Sequence, residues 1–173
     1  MDIPSDSPTP HAIEISAEPL GGPVAQSLIA TLNAELSALY PEPGATHFSL
    51  DPAQVAPGAG AFLVARKDGK PVGCGALRRL TDASVVAELG ADVGELKRMF
   101  VAREARGTGI GRALLAQLET EGRTLAMTRI VLETGIRQHD ALALYRRAGY
   151  AEIAAYGEYA LSPGTSVCLA KAL

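Results

Sequence analysis

Residues 95–112 read ELKRMFVAREARGTGIGR: an extended apolar and basic stretch runs into three glycines at alternate positions, Gly107, Gly109 and Gly111, flanked by Arg106 and Arg112. Downstream the period changes. Ile110, Leu114, Leu115, Leu118 and Leu125 mark one helical face, and the unbroken apolar run Ile130-Val131-Leu132 follows. Strand, helix and buried strand make a βαβ unit. An unbroken run implies burial on both faces, so the 95–101 and 129–134 strands are expected to be parallel neighbours joined by a right-handed crossover. The turn between them, Ala105 to Arg112 with Thr108 and Ile110 between its glycines, is built like an anion cradle. Glycines admit a ligand close to the backbone, the first helical amides lack intrahelical acceptors, and the helix dipole favours negative charge there. A diphosphate suits such a site. The plainer alternative is a tight strand-to-helix turn with close packing and no ligand.

Two other phosphate binders compare poorly. A P-loop requires Gly-x-x-x-x-Gly-Lys-(Ser/Thr), and Arg112-Ala113 offers nothing like Lys-Ser. A dinucleotide fold requires Gly-x-Gly-x-x-Gly with an acid further on; Glu133 is near that place, but the third glycine comes one residue early and the preceding strands form hairpins.

Working outward, Ile13 and Ile15 alternate with polar neighbours over 12–17, the period of a half-buried strand, which Gly21-Gly22-Pro23 breaks. Val24, Leu28, Leu32, Leu36 and Leu39 predict an amphipathic helix over 24–40, with Gln26, Asn33 and Glu35 on its polar stripe and Pro41 at its end. The segment 41–60 has four prolines and three glycines without periodicity, a length typical of lids and specificity loops. Asp68-Gly69 predicts a hairpin between strands 61–66 and 71–80. A third strand runs from Asp92 or Val93 to Val101, and Lys97-Arg98 before Met99-Phe100-Val101 breaks its alternation as a bulge does. A second helix over 140–148 turns Ala141, Leu142, Leu144, Tyr145 and Ala148 inward and stops at Gly149. Strands at 151–154 and 165–172, with Ser162-Pro163-Gly164 between them, close the sheet. Residues 1–11, rich in proline and poor in apolar side chains, read as a disordered tail, leaving 12–173 as a single domain.

The formal charge of −3, scattered Lys and Arg, and the absence of Trp argue against nucleic acid as a partner. Cys74 and Cys168 stand far apart in apolar runs and form neither a disulfide framework nor a metal-ligand spacing, which fits a reducing cytoplasm. No apolar run approaches the roughly 18 residues that span a bilayer, and the N-terminus is no export signal, so no membrane association is expected.

At this point residues 95–111 resemble the GCN5-related N-acetyltransferase (GNAT) superfamily. Its diphosphate signature is (Gln/Arg)-x-x-Gly-x-(Gly/Ala), matched by Arg106-Gly107-Thr108-Gly109-Ile110-Gly111. Residues 143–150, ALYRRAGY, are similar to the second signature, a helix ending in Tyr-x-x-x-Gly-(Phe/Tyr). The likeness covers residues 60–155 and departs at Gln138-His139-Asp140, where many members carry Asn. It implies an α/β (α+β) mixed sheet of the acyl-CoA N-acyltransferase fold, mostly antiparallel, with helices on both faces and a parallel pair that splays to admit pantetheine. It also implies acetyl-CoA as co-substrate, no metal, a small-molecule amine as acceptor, and homodimers as a common assembly. The expected coenzyme contacts are Met99, Phe100, Val101, the turn from Arg106 to Arg112, and Tyr145.

Acetyl transfer to an amine needs an unprotonated nucleophile, support for a developing oxyanion, and a proton for the departing thiolate. A free amine has a pKa of about 10.4, so a base or a desolvating pocket must remove its proton. The resemblance puts a general base on the 95–101 strand, where Glu95 stands; the alternative for Glu95 is a solvated strand-end carboxylate. Glu88, Glu133 and His139 are reserves. Tyr145 occupies the position from which family members protonate the thiolate, as well as the inner face of its helix, where it reads equally as a core aromatic. The expected oxyanion donor is a main-chain N–H near Met99–Val101, turned out by the bulge. His47, Asp51, Tyr156 and Tyr159 lie in segments that can close over an acceptor, or are ordinary surface residues. The cysteines read as packing groups, so direct attack in a ternary complex is expected rather than an acetyl-cysteine. A non-catalytic CoA-binding regulatory module is the alternative.

Overall fold

The computed structural model describes residues 12–43, 50–161 and 164–173. The tail at 1–11, His47, and the turn residues Ser162-Pro163 lie outside the described residues. The elements run β1 (Ile13–Ala17), α1 (Pro23–Leu39), β2 (Gly60–Lys67), β3 (Lys70–Arg79), α2 (Ala83–Leu89), β4 (Val93–Val101), α3 (Ile110–Thr124), β5 (Arg129–Gly135), α4 (His139–Arg147), β6 (Ala151–Ile153) and β7 (Ser166–Ala172). The strands form one sheet in the order β1-β2-β3-β4-β5-β7-β6, antiparallel except between β4 and β5.

That parallel pair is short. Val93 to Leu96 pair with Arg129 to Leu132, and beyond Leu96 the two strands part, which is the expected splay. The bulge also appears where alternation breaks. Cys74 faces Phe100 and Ala76 faces Lys97, so Gly75 stands opposite both Arg98 and Met99. Arg98 takes a left-handed φ of 55°, uncommon for a residue with a Cβ.

Helices cover both faces. On one, Ile110, Leu114, Leu115 and Leu118 of α3 and Leu142 and Tyr145 of α4 pack with Leu63, Leu96 and Leu132. On the other, Ala25, Leu28 and Leu32 of α1 pack with Phe62, Val64, Cys74 and Phe100. A third cluster joins Val93, Val131, Cys168 and Ala170 to Tyr156 and Tyr159. The periodicity reading omitted α2. Asp82 caps it, its Oδ1 accepting from Ser84 N at 2.9 Å and Val85 N at 3.3 Å, while Val85 and Leu89 pack on the third cluster. Seven residues give too few turns for a period to stand out. Short 3-10 turns at Pro52–Val55 and Gly157–Leu161 were likewise read as irregular chain.

One contact fastens α1 to the end of β5. The Tyr40 hydroxyl accepts from Arg137 N at 2.8 Å, Arg137 Nη1 donates to Leu39 O at 2.9 Å, and the guanidinium lies 5.0 Å from the Tyr40 ring and pairs with Glu42. Gly135 makes room for the phenol: a Cβ there would sit 1.9 Å from Tyr40 Oη. Gly135→Ala is therefore expected to destabilise the fold by about 1–3 kcal/mol, the usual cost of overpacking. Chemical denaturation measures it; an unshifted midpoint would mean that the clasp relaxes freely.

Candidate active site

A groove of about 1300 Å³ runs between α1, the end of β4, the glycine turn and α4. Gly107 and Gly109 take left-handed φ values of 75° and 86°, and a Cβ added to either meets nothing within 4 Å. Backbone conformation, not crowding, is what calls for glycine here, and the space over the turn is open. The Thr108 hydroxyl donates to Ala105 O at 2.6 Å and steadies the turn. Helical bonding in α3 opens with Ala113 N donating to Gly109 O at 3.0 Å, so the amides of Ile110, Gly111 and Arg112 precede the ladder on the groove wall. Ile110 is buried in the core, which limits its contribution to its amide, whereas Arg112 is exposed. At Gly111 an added Cβ would be 3.4 Å from Leu144 Cδ2, so the first turn of α3 lies close against α4. Open space and unshared amides at a helix start fit a diphosphate.

Met99, Phe100 and Val101 line the groove beside the bulge. Arg106 lines it too, with its side chain engaged elsewhere: Nε donates to Val101 O at 2.8 Å and Nη2 to Glu35 Oε2 at 2.7 Å. Tyr145 reaches the groove from α4 and is only 5% exposed. Its ring meets Tyr150 edge to face at 5.8 Å, and among the described residues its hydroxyl has no hydrogen-bond partner. Burial, and then the charge of Glu133, push its phenol above the ordinary tyrosine range. Packing and groove-lining thus coexist in one side chain.

Glu95 has a different setting. It is 1% exposed, absent from the groove wall, and far from a solvated strand-end carboxylate. Oε1 accepts from Arg78 Nη2 at 2.7 Å and Nε at 3.0 Å, and Oε2 accepts from the Tyr156 hydroxyl at 2.6 Å. Arg78 stands directly opposite Glu95 in the β3–β4 register and also donates to Gln54 Oε1 at 3.0 Å. Gln54 belongs to the turn that Asp51 caps, with Asp51 Oδ1 accepting from Ala53 N at 2.7 Å. Tyr156 and Tyr159, read as surface-loop residues, are 2% and 4% exposed and meet edge to face at 5.2 Å. Their ring contact and the Glu95 bond explain the burial.

Reading the sequence also missed two cations beside the splay. Lys97 is buried, with Nζ 3.4 Å from Tyr159 Oη and 4.0 Å from Glu158 Oε1, and burial holds its pKa below the ordinary lysine value. Arg98 Nη1 donates to Asn33 Oδ1 of α1 at 2.6 Å. Of the reserve bases, Glu133 is half-buried and accepts from Ser166 Oγ at 2.6 Å, His139 is exposed on the groove rim, and Glu88 accepts a long bond from Gly157 N at 3.5 Å. Burial pushes the thiols of Cys74 and Cys168 up to about 12 and about 11, so both stay protonated near neutral pH.

The comparisons with known proteins bear on the family and the fold. A family model described as the acetyltransferase (GNAT) family matches residues 26–150, which include the glycine turn and Tyr145. An IAA acetyltransferase from Azospirillum brasilense is 38% identical over 154 residues, 89% of this chain and 94% of that one. The solved structure of a putative acyl-CoA N-acyltransferase from Klebsiella pneumoniae aligns with a TM-score of 0.73 at 32% identity, covering 93% of this chain and 97% of that one. A GNAT acetyltransferase from Elizabethkingia anophelis, solved with acetyl-CoA bound, aligns with a TM-score of 0.64 at 18% identity over 93% of this chain and 98% of that one, a likeness of fold.

Proposed function

The chain belongs to the acetyltransferase (GNAT) family, and from that premise we propose that it moves an acetyl group from acetyl-CoA to the nitrogen of a small amine or amino-acid derivative by direct attack in a ternary complex. One observation carries the reading: a single groove joins the open glycine turn, the main chain beside the bulge, and Tyr145. Acetyl-CoA supplies the activated thioester.

The chain's own groups divide the remaining work. The amides of Ile110, Gly111 and Arg112 bind the diphosphate, with Arg106 and Arg112 adding charge. A main-chain N–H within Met99–Val101 supports the carbonyl oxygen as it gains charge. The Tyr145 hydroxyl donates to the departing sulfur. Glu95 and Tyr156 both stand behind the groove wall, so Glu95 takes the amine's proton through water that reaches the Tyr156 oxygen, the Tyr156 hydroxyl passing its own proton to Glu95 as it accepts one. A second reading gives that role to Glu133, because it is half-buried rather than sealed and its charge is felt by Tyr145. The buried, protonated thiols support direct attack over an acetyl-cysteine.

Thermal shifts with acetyl-CoA, CoA, ATP and NAD, followed by thiol release over an amine panel, test the proposal. IAA is assayed beside the amines, from the relative's name. Stabilisation by acetyl-CoA and CoA, with release for at least one acceptor, is expected; stabilisation without turnover would favour a binding module. Glu95→Gln and Glu133→Gln then separate the two bases, the true one losing about 10²–10⁴-fold in rate. Equal rates in both variants would move the proton acceptor elsewhere.

A further inference from the structure

Arg106 opens the glycine turn, yet its guanidinium is bound to its own chain. Nε is held by Val101 O at 2.8 Å, Nη2 by Glu35 Oε2 at 2.7 Å, and the group lies 6.0 Å from the centre of the Phe100 ring. Glu35 stands on α1, lines the same groove, and also lies 3.9 Å from Arg103 Nε. Two further acids line the groove. Glu119 is engaged by Lys171 Nζ at 2.8 and 2.9 Å, and Asp140 belongs to the first turn of α4. Glu35 alone, among the acids lining the groove, is bonded to the arginine that starts the cradle.

A carboxylate and a phosphate ask the same thing of a guanidinium, a planar pair of N–H donors aimed at two oxygens. While Glu35 holds Nη2, a diphosphate on the turn cannot use that donor, and it also meets the negative charge of Glu35. We propose that Glu35 sets the affinity of the cradle for phosphoanions: its carboxylate serves Arg106 as an internal anion that any diphosphate must displace, a cost that the rest of the coenzyme offsets by filling the groove and that a small phosphoanion cannot offset. Small phosphoanions, with no pantetheine to bury, then compete poorly. The exchange is local. Helix α1 keeps its second tether, Asn33 to Arg98 at 2.6 Å, and its buried face of Ala25, Leu28 and Leu32.

The inference rests on the reading that this groove takes acetyl-CoA, and the test separates the two. Calorimetry on Glu35→Gln should show acetyl-CoA binding about two- to fivefold tighter than in the wild type, the scale of a partly exposed ion pair. The KM for S-acetylpantetheine, which has the thioester and no phosphate, should not move. Inorganic pyrophosphate should inhibit the variant at correspondingly lower concentration. In an Arg106→Gln background the Glu35→Gln change should tighten acetyl-CoA by a smaller factor than in the wild type, because the pair is already broken and only the direct repulsion is left to relieve. Unchanged or weaker acetyl-CoA binding in Glu35→Gln, or an equal shift for S-acetylpantetheine, would overturn the proposal. A wild-type protein that does not bind acetyl-CoA would sink the functional reading beneath it, and this inference with it.

Discussion

Tyr145→Phe is expected to lower kcat for acetyl transfer by about 10²-fold, near the lower end of general-acid effects, with little change in acetyl-CoA affinity. Burial and the charge of Glu133 raise the pKa of the phenol, so it keeps its proton throughout the neutral and mildly alkaline range. A CoA thiolate, with the pKa of about 8.5 typical of a thiol, is a weaker base than that phenolate. Complete proton transfer from Tyr145 is thus uphill, and its contribution is a hydrogen bond that strengthens as the sulfur gains charge. That argues for the lower end of the range. The substitution also distinguishes chemistry from packing. The hydroxyl has no partner among the described residues, so removing it leaves no buried group stranded, and the ring contact with Tyr150 stays. The melting temperature should hold while turnover falls. Steady-state thiol release and a thermal melt on the same preparation provide the check, and an unchanged kcat would remove Tyr145 from the mechanism.

The parts of this molecule that were legible in the sequence are those set by local pattern. The change of period around the glycine turn located β4, α3 and β5, and the interruption at Lys97-Arg98 located the bulge before any register was known. What stayed hidden depends on partners far along the chain. Glu95 reads as a strand carboxylate until β3 places Arg78 directly opposite and Tyr156 arrives from 61 residues away. Tyr156 and Tyr159 stand among Ala, Gly and Glu with no period to mark an inward face, and only the third cluster makes them interior. The Glu35–Arg106 pair spans 71 residues, and each member by itself is an ordinary polar residue on a helix or turn. Periodicity reports which face of an element is buried. It does not report what the opposing element brings.

The same buried tyrosines predict how the protein fails in alkali. In all five, burial is the leading cause that holds the phenol above its ordinary pKa; the charge of Glu95 adds to it at Tyr156 and Tyr159. Cys74 and Cys168 are shifted the same way, to about 12 and about 11. A group whose folded pKa lies above its unfolded value contributes full stability below the unfolded pKa and loses it as pH rises towards the folded one. Losses therefore begin near pH 8.5 for the two thiols and near pH 10 for the five phenols, at about 1.4 kcal/mol per pH unit for each group. Lys97 and Arg98, whose pKa values burial lowers, work in the opposite sense, two groups against seven. With the two thiols and the phenols of Tyr145, Tyr150, Tyr156 and Tyr159 engaged, and Tyr40 adding less because Arg137 opposes its shift, the slope reaches about 8 kcal/mol per pH unit, against a total stability of about 5–15 kcal/mol for a typical domain. Unfolding is thus expected between pH about 10 and 12. Tyrosinate absorbance at 295 nm should stay flat and then rise in one step together with the loss of far-ultraviolet circular dichroism. Tyrosines that titrate one by one near pH 10 while the dichroism persists would show that these rings are open to solvent, and the packing assigned to Tyr145 and Tyr156 would have to be revised.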